Sequence, residues 1–192
     1  MATTDHAIER QLRERGLQVL GPCDRLAQRA DLLAESALLR DFTPQEAELL
    51  GAYMLRVAAQ PGQLMIAEGE ASDWLMILLR GTVDIDKEKP DDPADQAHAG
   101  ERVRVAVLRE GAVIGEMSML DGESRYANCR ALSEVEAAVL TRPAVGRLIG
   151  EQPALGAKLL VKLTQQLAQR LRTTSNQLAR ATRRAAAGGS AS

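Results

Sequence analysis

The chain has 192 residues, 45% of them apolar and 26% charged, with a formal net charge of −2. That content supports one substantial core with a helical appendage, and a charge this close to zero excludes the basic balance of a dedicated nucleic-acid binder. Residues 1–6 lack a basic-then-apolar leader and the sequence has no apolar run of about 18 residues, so a cytoplasmic protein without membrane contact is expected.

Residues 5–20 set Ile8, Leu12, Leu17, Val19 and Leu20 among charges in a helical rhythm that Gly21 and Pro22 end. Residues 24–39 carry Leu26, Ala30, Leu33 and Ala37 on one face of a second predicted helix. Both helices are expected to pack on the domain that follows or on a partner subunit. Cys23 and Cys129 have neither a second pair nor a histidine cluster beside them and read as reduced thiols. His6 and His98 likewise lack a partner in sequence for acid-base or metal chemistry. Thr43, Pro44 and Glu46 spell a capped helix start, with the helix running to about Met54.

From residue 55 to residue 141 the period changes to short aliphatic runs, broken by glycine turns every eight to twelve residues or so, the pattern of an antiparallel sandwich or small barrel. Trp74 to Leu79 is a continuous apolar run that predicts a central strand, and Val83, Ile85, Val103, Val105 and Val107 alternate as half-buried strands do. Residues 87–101, with Pro90, Asp91, Asp92, Pro93 and Asp95, are too polar for a core and predict a mobile surface loop. Arg142 and Pro143 open a short helix ending near Pro153. A long helix follows over residues 154–184, with Leu155, Leu159, Leu163, Leu167, Leu171 and Leu178 as an apolar stripe expected to form an interface seam.

The segment Val113-Ile-Gly-Glu-Met-Ser-Met-Leu-Asp-Gly-Glu-Ser-Arg-Tyr-Ala127 carries the chemistry. A phosphorylated sugar asks for a carboxylate to accept from a hydroxyl, a guanidinium to fork onto phosphate oxygens, and opened backbone N–H groups. Glu116, Arg125 and the turn at Gly115 supply these. Alone, Glu116 reads as a helix N-terminal acid and Arg125 as a surface cation. Together, in a Gly-Glu pair with an arginine nine residues after the acid, they resemble the phosphate-binding cassette of cyclic nucleotide-binding domains, and the order of elements agrees from about Ala37 to about Ala179.

The resemblance implies an α+β fold: an antiparallel β-roll or jelly-roll barrel flanked by N-terminal helices and a long C-terminal helix. It divides the chain into an N-terminal extension (1–36), the β-roll domain (37–152), a C-helix acting as lid and dimerisation element (153–184) and a disordered tail (185–192). It gives Glu116 the ribose 2′-hydroxyl and Arg125 the exocyclic phosphate oxygens, with backbone contacts from Gly115, Met117, Tyr126 and Ala127. Tyr126 stands where the family carries Ser, Thr or Ala, so a hydroxyl bond to phosphate is missing and the ring is expected to cover the pocket or the barrel edge. Ile85, Val105 and Leu108 are placed beside the base, though they serve equally as core. Thr174 and Ser175 fall on positions that hold the adenine amino group, from one subunit and its partner, and Arg170 on one that contacts the ligand nearby. This favours cAMP over cGMP, with a cyclic dinucleotide left as an alternative, and it implies a homodimer with Leu163, Leu167, Leu171 and Leu178 in the seam.

In bacterial regulators of this family a DNA-binding head would follow the long helix, and here residues 185–192 follow it. From Gln152 onward there are seven Lys or Arg residues and no acid, a pattern that suits a solvated helix face. The expectation is a stand-alone cAMP sensor that signals to a separate effector protein, without DNA binding and without enzymatic activity. The alternative is a ligand-free interaction scaffold whose pocket Tyr126 blocks.

Overall fold

The structure, a computed structural model, describes residues 2–89 and 101–188, with side chains from residue 7 to residue 183 within those ranges. Helix α1 (Ala2–Glu14) ends just before Gly16, whose φ of 80° belongs to the left-handed region, and the chain then enters strand β1 (Gln18–Pro22). The helix expected over residues 5–20 therefore stops short, because a left-handed glycine terminates a helix and Val19 finds a strand partner in Val57. Gly21 and Pro22 lie in this edge strand, where a proline's missing N–H is tolerated.

The helix expected over residues 24–39 is also broken, into a 3-10 turn (Leu26–Gln28) and the short α2 (Ala30–Glu35). Two distant contacts break it. The Glu48 carboxylate, on α3 (Pro44–Gly51), accepts the N–H groups of Arg25 at 3.1 Å and Ala27 at 3.2 Å, and buried Ser36 donates its hydroxyl to the Gly111 carbonyl at 2.8 Å. Helix α3 begins with the reciprocal cap read from Thr43 and Glu46, each side chain accepting the other's backbone N–H, and it ends at Gly51 rather than near Met54.

Among the described residues nine short strands form two antiparallel sheets: β2 (Leu55–Ala59), β3 (Leu64–Ile66), β4 (Trp74–Arg80), β5 (Val83–Glu88), β6 (Arg102–Leu108), β7 (Val113–Ile114), β8 (Asn128–Ala131) and β9 (Val135–Thr141), together with β1. One sheet runs β1-β2-β9-β4-β7 and the other β3-β8-β5-β6. Strand β4 is apolar on both faces because both are covered. Trp74, Met76 and Leu78 face the interior of the roll with Ile8 and Leu12 of α1, while Leu75, Ile77 and Leu79 meet the helical layer. Lys87 and Glu88 belong to β5 rather than to the polar loop, and the rest of that expected loop, residues 90–100, lies outside the described residues. Val103, Val105 and Val107 are exposed rather than half-buried, since β6 is the sheet's edge and its register with β5 slips between Ile85 and Asp86.

Helix α4 (Glu116–Asp121) interrupts the roll between β7 and β8, and α5 (Arg142–Glu151) leads into α6 (Pro153–Gly188). Leu155, Leu159 and Leu163 of α6 are buried in the same cluster as Leu75, Ile77 and Leu79 of β4 and Val145 and Leu148 of α5. Leu163, expected in a dimer seam, is thus spent within its own chain; Leu171 and Leu178 are each 68% exposed. The expected tail begins inside α6, and its residues 189–192 lie outside the described residues. No described helix is long and apolar enough to cross a membrane.

Candidate functional site

Between β7 and α4 the chain turns through Gly115, whose φ is 80°. A side chain there would be strained by that backbone, and its Cβ would collide with Nη1 of Arg125. The turn brings Glu116, only 2% exposed, and Arg125, 3% exposed, onto one wall of a cavity of about 420 Å³. The volume is in the range of small-molecule sites, roughly 300–1,000 Å³.

Arg125 is fixed along its whole length. Its backbone N–H donates to the Glu70 carbonyl at 2.9 Å and its carbonyl accepts from Gly69 at 2.8 Å. Nη1 donates to the Gly115 carbonyl at 2.7 Å and Nη2 to the Trp74 carbonyl at 2.6 Å, while Cζ lies 4.3 Å from the centre of the Trp74 ring. Its buried Nε has no partner among the described residues. Burial pushes the guanidinium pKa down to about 10, against the pull of Glu70, Asp73 and Glu116, so the group stays charged at neutral pH.

Glu116 is met from the opposite wall. Arg170 of α6 donates through Nη1 to the Glu116 carboxylate and through Nη2 to the Val113 carbonyl at 2.7 Å, tying the long helix to the turn. An anchored guanidinium with an unused buried donor and a buried carboxylate, facing an apolar space, form a binding arrangement for a small molecule that carries both an anion and a hydroxyl.

A family model described as the cyclic nucleotide-binding domain matches residues 56–152, just over half of the chain. The chain belongs to that family. A solved cyclic nucleotide-binding domain from Methylobacillus flagellatus KT is 33% identical and superposes with a TM-score of 0.72, covering 84% of this chain and 86% of that one. The Thermus thermophilus catabolite activator protein is 27% identical at a TM-score of 0.65, over 77% of this chain and 63% of that one. A CRP-like cAMP-activated global transcriptional regulator of Mycobacterium tuberculosis is 28% identical over 149 residues, which is 78% of this chain but 61% of the regulator's own length.

Within this cyclic nucleotide-binding domain, the residues singled out by sequence converge with one exception. Gly115, Glu116, Met117, Arg125, Tyr126 and Ala127 line the cavity from the turn, Ile85, Val105 and Leu108 from β5 and β6, and Arg170 and Thr174 from α6. Ser175 does not reach it, because one residue further along the helix points about 100° away. Thr173 lines the wall instead, with Gln169 and Gln177, none of which was anticipated. The signal was available: 169, 170, 173, 174 and 177 are one helical face, and Arg170 and Thr174 already marked it.

Tyr126 does not plug the cavity. The residue is 58% exposed at the rim, with Lys87 Nζ 3.9 Å from the ring centre. Lys87 also donates to the Tyr126 carbonyl at 2.8 Å and to Glu68 at 2.9 Å, holding the residue open. Cys129 lies in the cavity wall with its thiol pushed up to about 12 by burial, and Cys23 to about 11, so neither offers a thiolate near neutral pH.

Proposed function

We propose that this domain is a cyclic nucleotide sensor with cAMP as its ligand. Glu116 accepts from the ribose 2′-hydroxyl, Arg125 holds the exocyclic phosphate oxygens, and Thr174 meets the base from α6. The observation that carries the reading is the buried Arg125 guanidinium, anchored by two carbonyls and left with a free donor beside an equally buried carboxylate. The protein acts by binding rather than by catalysis. A ligand that touches the turn and α6 together favours the arrangement in which both close on it, and an effector protein reads that change. The exposed Leu171 and Leu178 support a homodimer through the distal half of α6, where Ser175 of one subunit faces the other.

Titration calorimetry with cAMP, cGMP and a cyclic dinucleotide tests this, with cAMP expected to bind tightest. Losing a buried charge-assisted partner costs about 2–5 kcal/mol, so Arg125→Ala is expected to weaken cAMP by roughly two to three orders of magnitude. Silence with every nucleotide returns the protein to the interaction-scaffold reading. Light scattering checks the dimer, which Leu171→Glu together with Leu178→Glu is expected to split.

A further inference from the structure

Trp74 is the chain's single tryptophan, buried at the start of β4 with its indole ring against the Arg125 guanidinium. Its indole N–H is itself buried and has no partner among the described residues. A leucine or phenylalanine would fill the roll's core without that orphaned donor, whose burial is unfavourable. What tryptophan alone adds is the strongest π face for a cation. The face is used: Cζ of Arg125 lies 4.3 Å from the ring centre, while the Gly115 and Trp74 carbonyls take one hydrogen each from the two terminal nitrogens at 2.7 and 2.6 Å. Three contacts define a plane. Two carbonyls alone would leave the guanidinium free to tilt about the line joining them, and the ring removes that freedom.

We propose that the Trp74 ring is a positioning residue for the ligand's anion: it sets the plane of the Arg125 guanidinium so that the unpartnered Nε–H and the remaining terminal hydrogens meet a phosphodiester without reorienting. This rests on the cyclic nucleotide reading of the cavity and deepens it, because it assigns part of the phosphate affinity to a side chain that never touches the nucleotide. The ring also couples the cassette to the interior of the roll. Trp74 packs with Met76, Ile114 and α1's Leu12, so the guanidinium is held by the barrel's core and not by its own loop alone.

Two measurements decide the proposal. In the ligand-free protein, emission excited selectively at tryptophan is expected to change in Arg125→Met relative to wild type, since the chain's one tryptophan loses its stacked cation; identical spectra overturn the stack. In calorimetry with cAMP, Trp74→Phe is expected to stay within about threefold of wild type, as the smaller ring still offers a face. Trp74→Leu is expected to weaken binding tenfold or more, which corresponds to about 1.4 kcal/mol. Met65→Ala, a truncation in the same core at a residue that does not line the cavity, controls for lost packing and is expected to leave affinity within about twofold. Equal losses in Trp74→Phe and Trp74→Leu, or wild-type affinity in Trp74→Leu, overturn the positioning role while the sensor reading stands. A wild-type protein that binds no cyclic nucleotide overturns both.

Discussion

The two walls of the cavity are built on opposite plans. The turn wall gathers Gly115, Glu116 and Arg125 from a short stretch, and Arg125 is sewn through its backbone to Gly69 and Glu70 and through its side chain to Gly115 and Trp74. The helix wall presents Gln169, Arg170, Thr173, Thr174 and Gln177 from a helix whose apolar anchors, Leu155, Leu159 and Leu163, lie in its first part and which Arg170 ties to the turn. One wall is preorganised before any ligand arrives; the other is a lever whose far half has few contacts to hold it. Preorganisation saves the ordering cost of binding, so on the proposed sensor reading the turn wall carries affinity for the sugar-phosphate. On the same reading the helix wall carries discrimination between bases and the conformational response.

The strongest way to break this division is Gly115→Ala. The new side chain meets φ of 80° and the space taken by Arg125 Nη1, so the backbone penalty of roughly 1–2 kcal/mol adds to displacement of the guanidinium proposed to hold the phosphate, worth about 2–5 kcal/mol. Calorimetry is expected to show cAMP affinity lost by three orders of magnitude or more, with the fold retained by circular dichroism. A Gly115→Ala protein that binds normally would mean that the turn wall is not the rigid one.

Arg170→Ala tests the tie that Arg170 makes between the walls through Glu116 and Val113. The partly exposed arginine is the partner of a buried carboxylate, and a hydrogen bond to a charged group is worth about 1.5–3 kcal/mol. The expected result is a ten- to hundredfold loss of cAMP affinity, together with faster amide hydrogen exchange in α6 beyond residue 168. Slow exchange there in the variant would show that the helix is held by something other than Arg170.

How much of each wall was legible follows from the same difference. The turn wall is short-range: Gly115, Glu116 and Arg125 stand close enough in the chain for their chemistry to be read as a unit, and the strands around them declare themselves by period and turns. The helix wall needed a register that Arg170 and Thr174 supplied only in part, so Thr173 and Gln177 were missed, while Ser175, expected to serve with Thr174 from one subunit and its partner, stays outside its own subunit's cavity. What sequence could not show at all are contacts between distant residues. Glu48 breaks the helix expected over residues 24–39 from more than twenty positions away, and Trp74 lies under Arg125 from 51 positions away. Val103, Val105 and Val107 alternate as buried strands do, yet they end on an edge, because nothing in a strand's period tells whether a neighbour will cover it.

A smaller effect sharpens the comparison. Thr174→Val keeps the shape of the helix wall and removes one hydroxyl, and a single hydrogen bond contributes about 0.5–1.5 kcal/mol. Binding of cAMP is expected to weaken by about threefold to tenfold while cGMP changes less, read as the ratio of the two dissociation constants. An unchanged ratio would move base discrimination off α6.

The smallest expected effect concerns the rim, where Tyr126 is held open by Lys87 and through it by Glu68. Burial alone would raise the Glu68 carboxyl, but the Glu88 N–H at 2.9 Å, Lys87 and Arg102 together hold it below its usual 4.5. Burial would likewise raise Asp86, and the hydrogen bonds from Arg102 and Asn128 hold it below its usual 3.8. A carboxyl with a lowered folded pKa binds fewer protons folded than unfolded, so its stabilisation is complete above the usual value and is lost as pH falls through the folded one. The melting temperature is therefore expected to be flat between about pH 6 and 8 and to fall below about pH 4.5, with Glu68→Gln shallower at the upper end of that fall. Arg125 stays charged throughout this range, so a loss of cAMP affinity that tracks the fall in wild type and is absent from Glu68→Gln comes from the rim releasing Tyr126 rather than from the turn wall. Affinity that holds while the melting temperature drops would separate the rim from the site, leaving Tyr126 as a surface residue that merely borders the cavity.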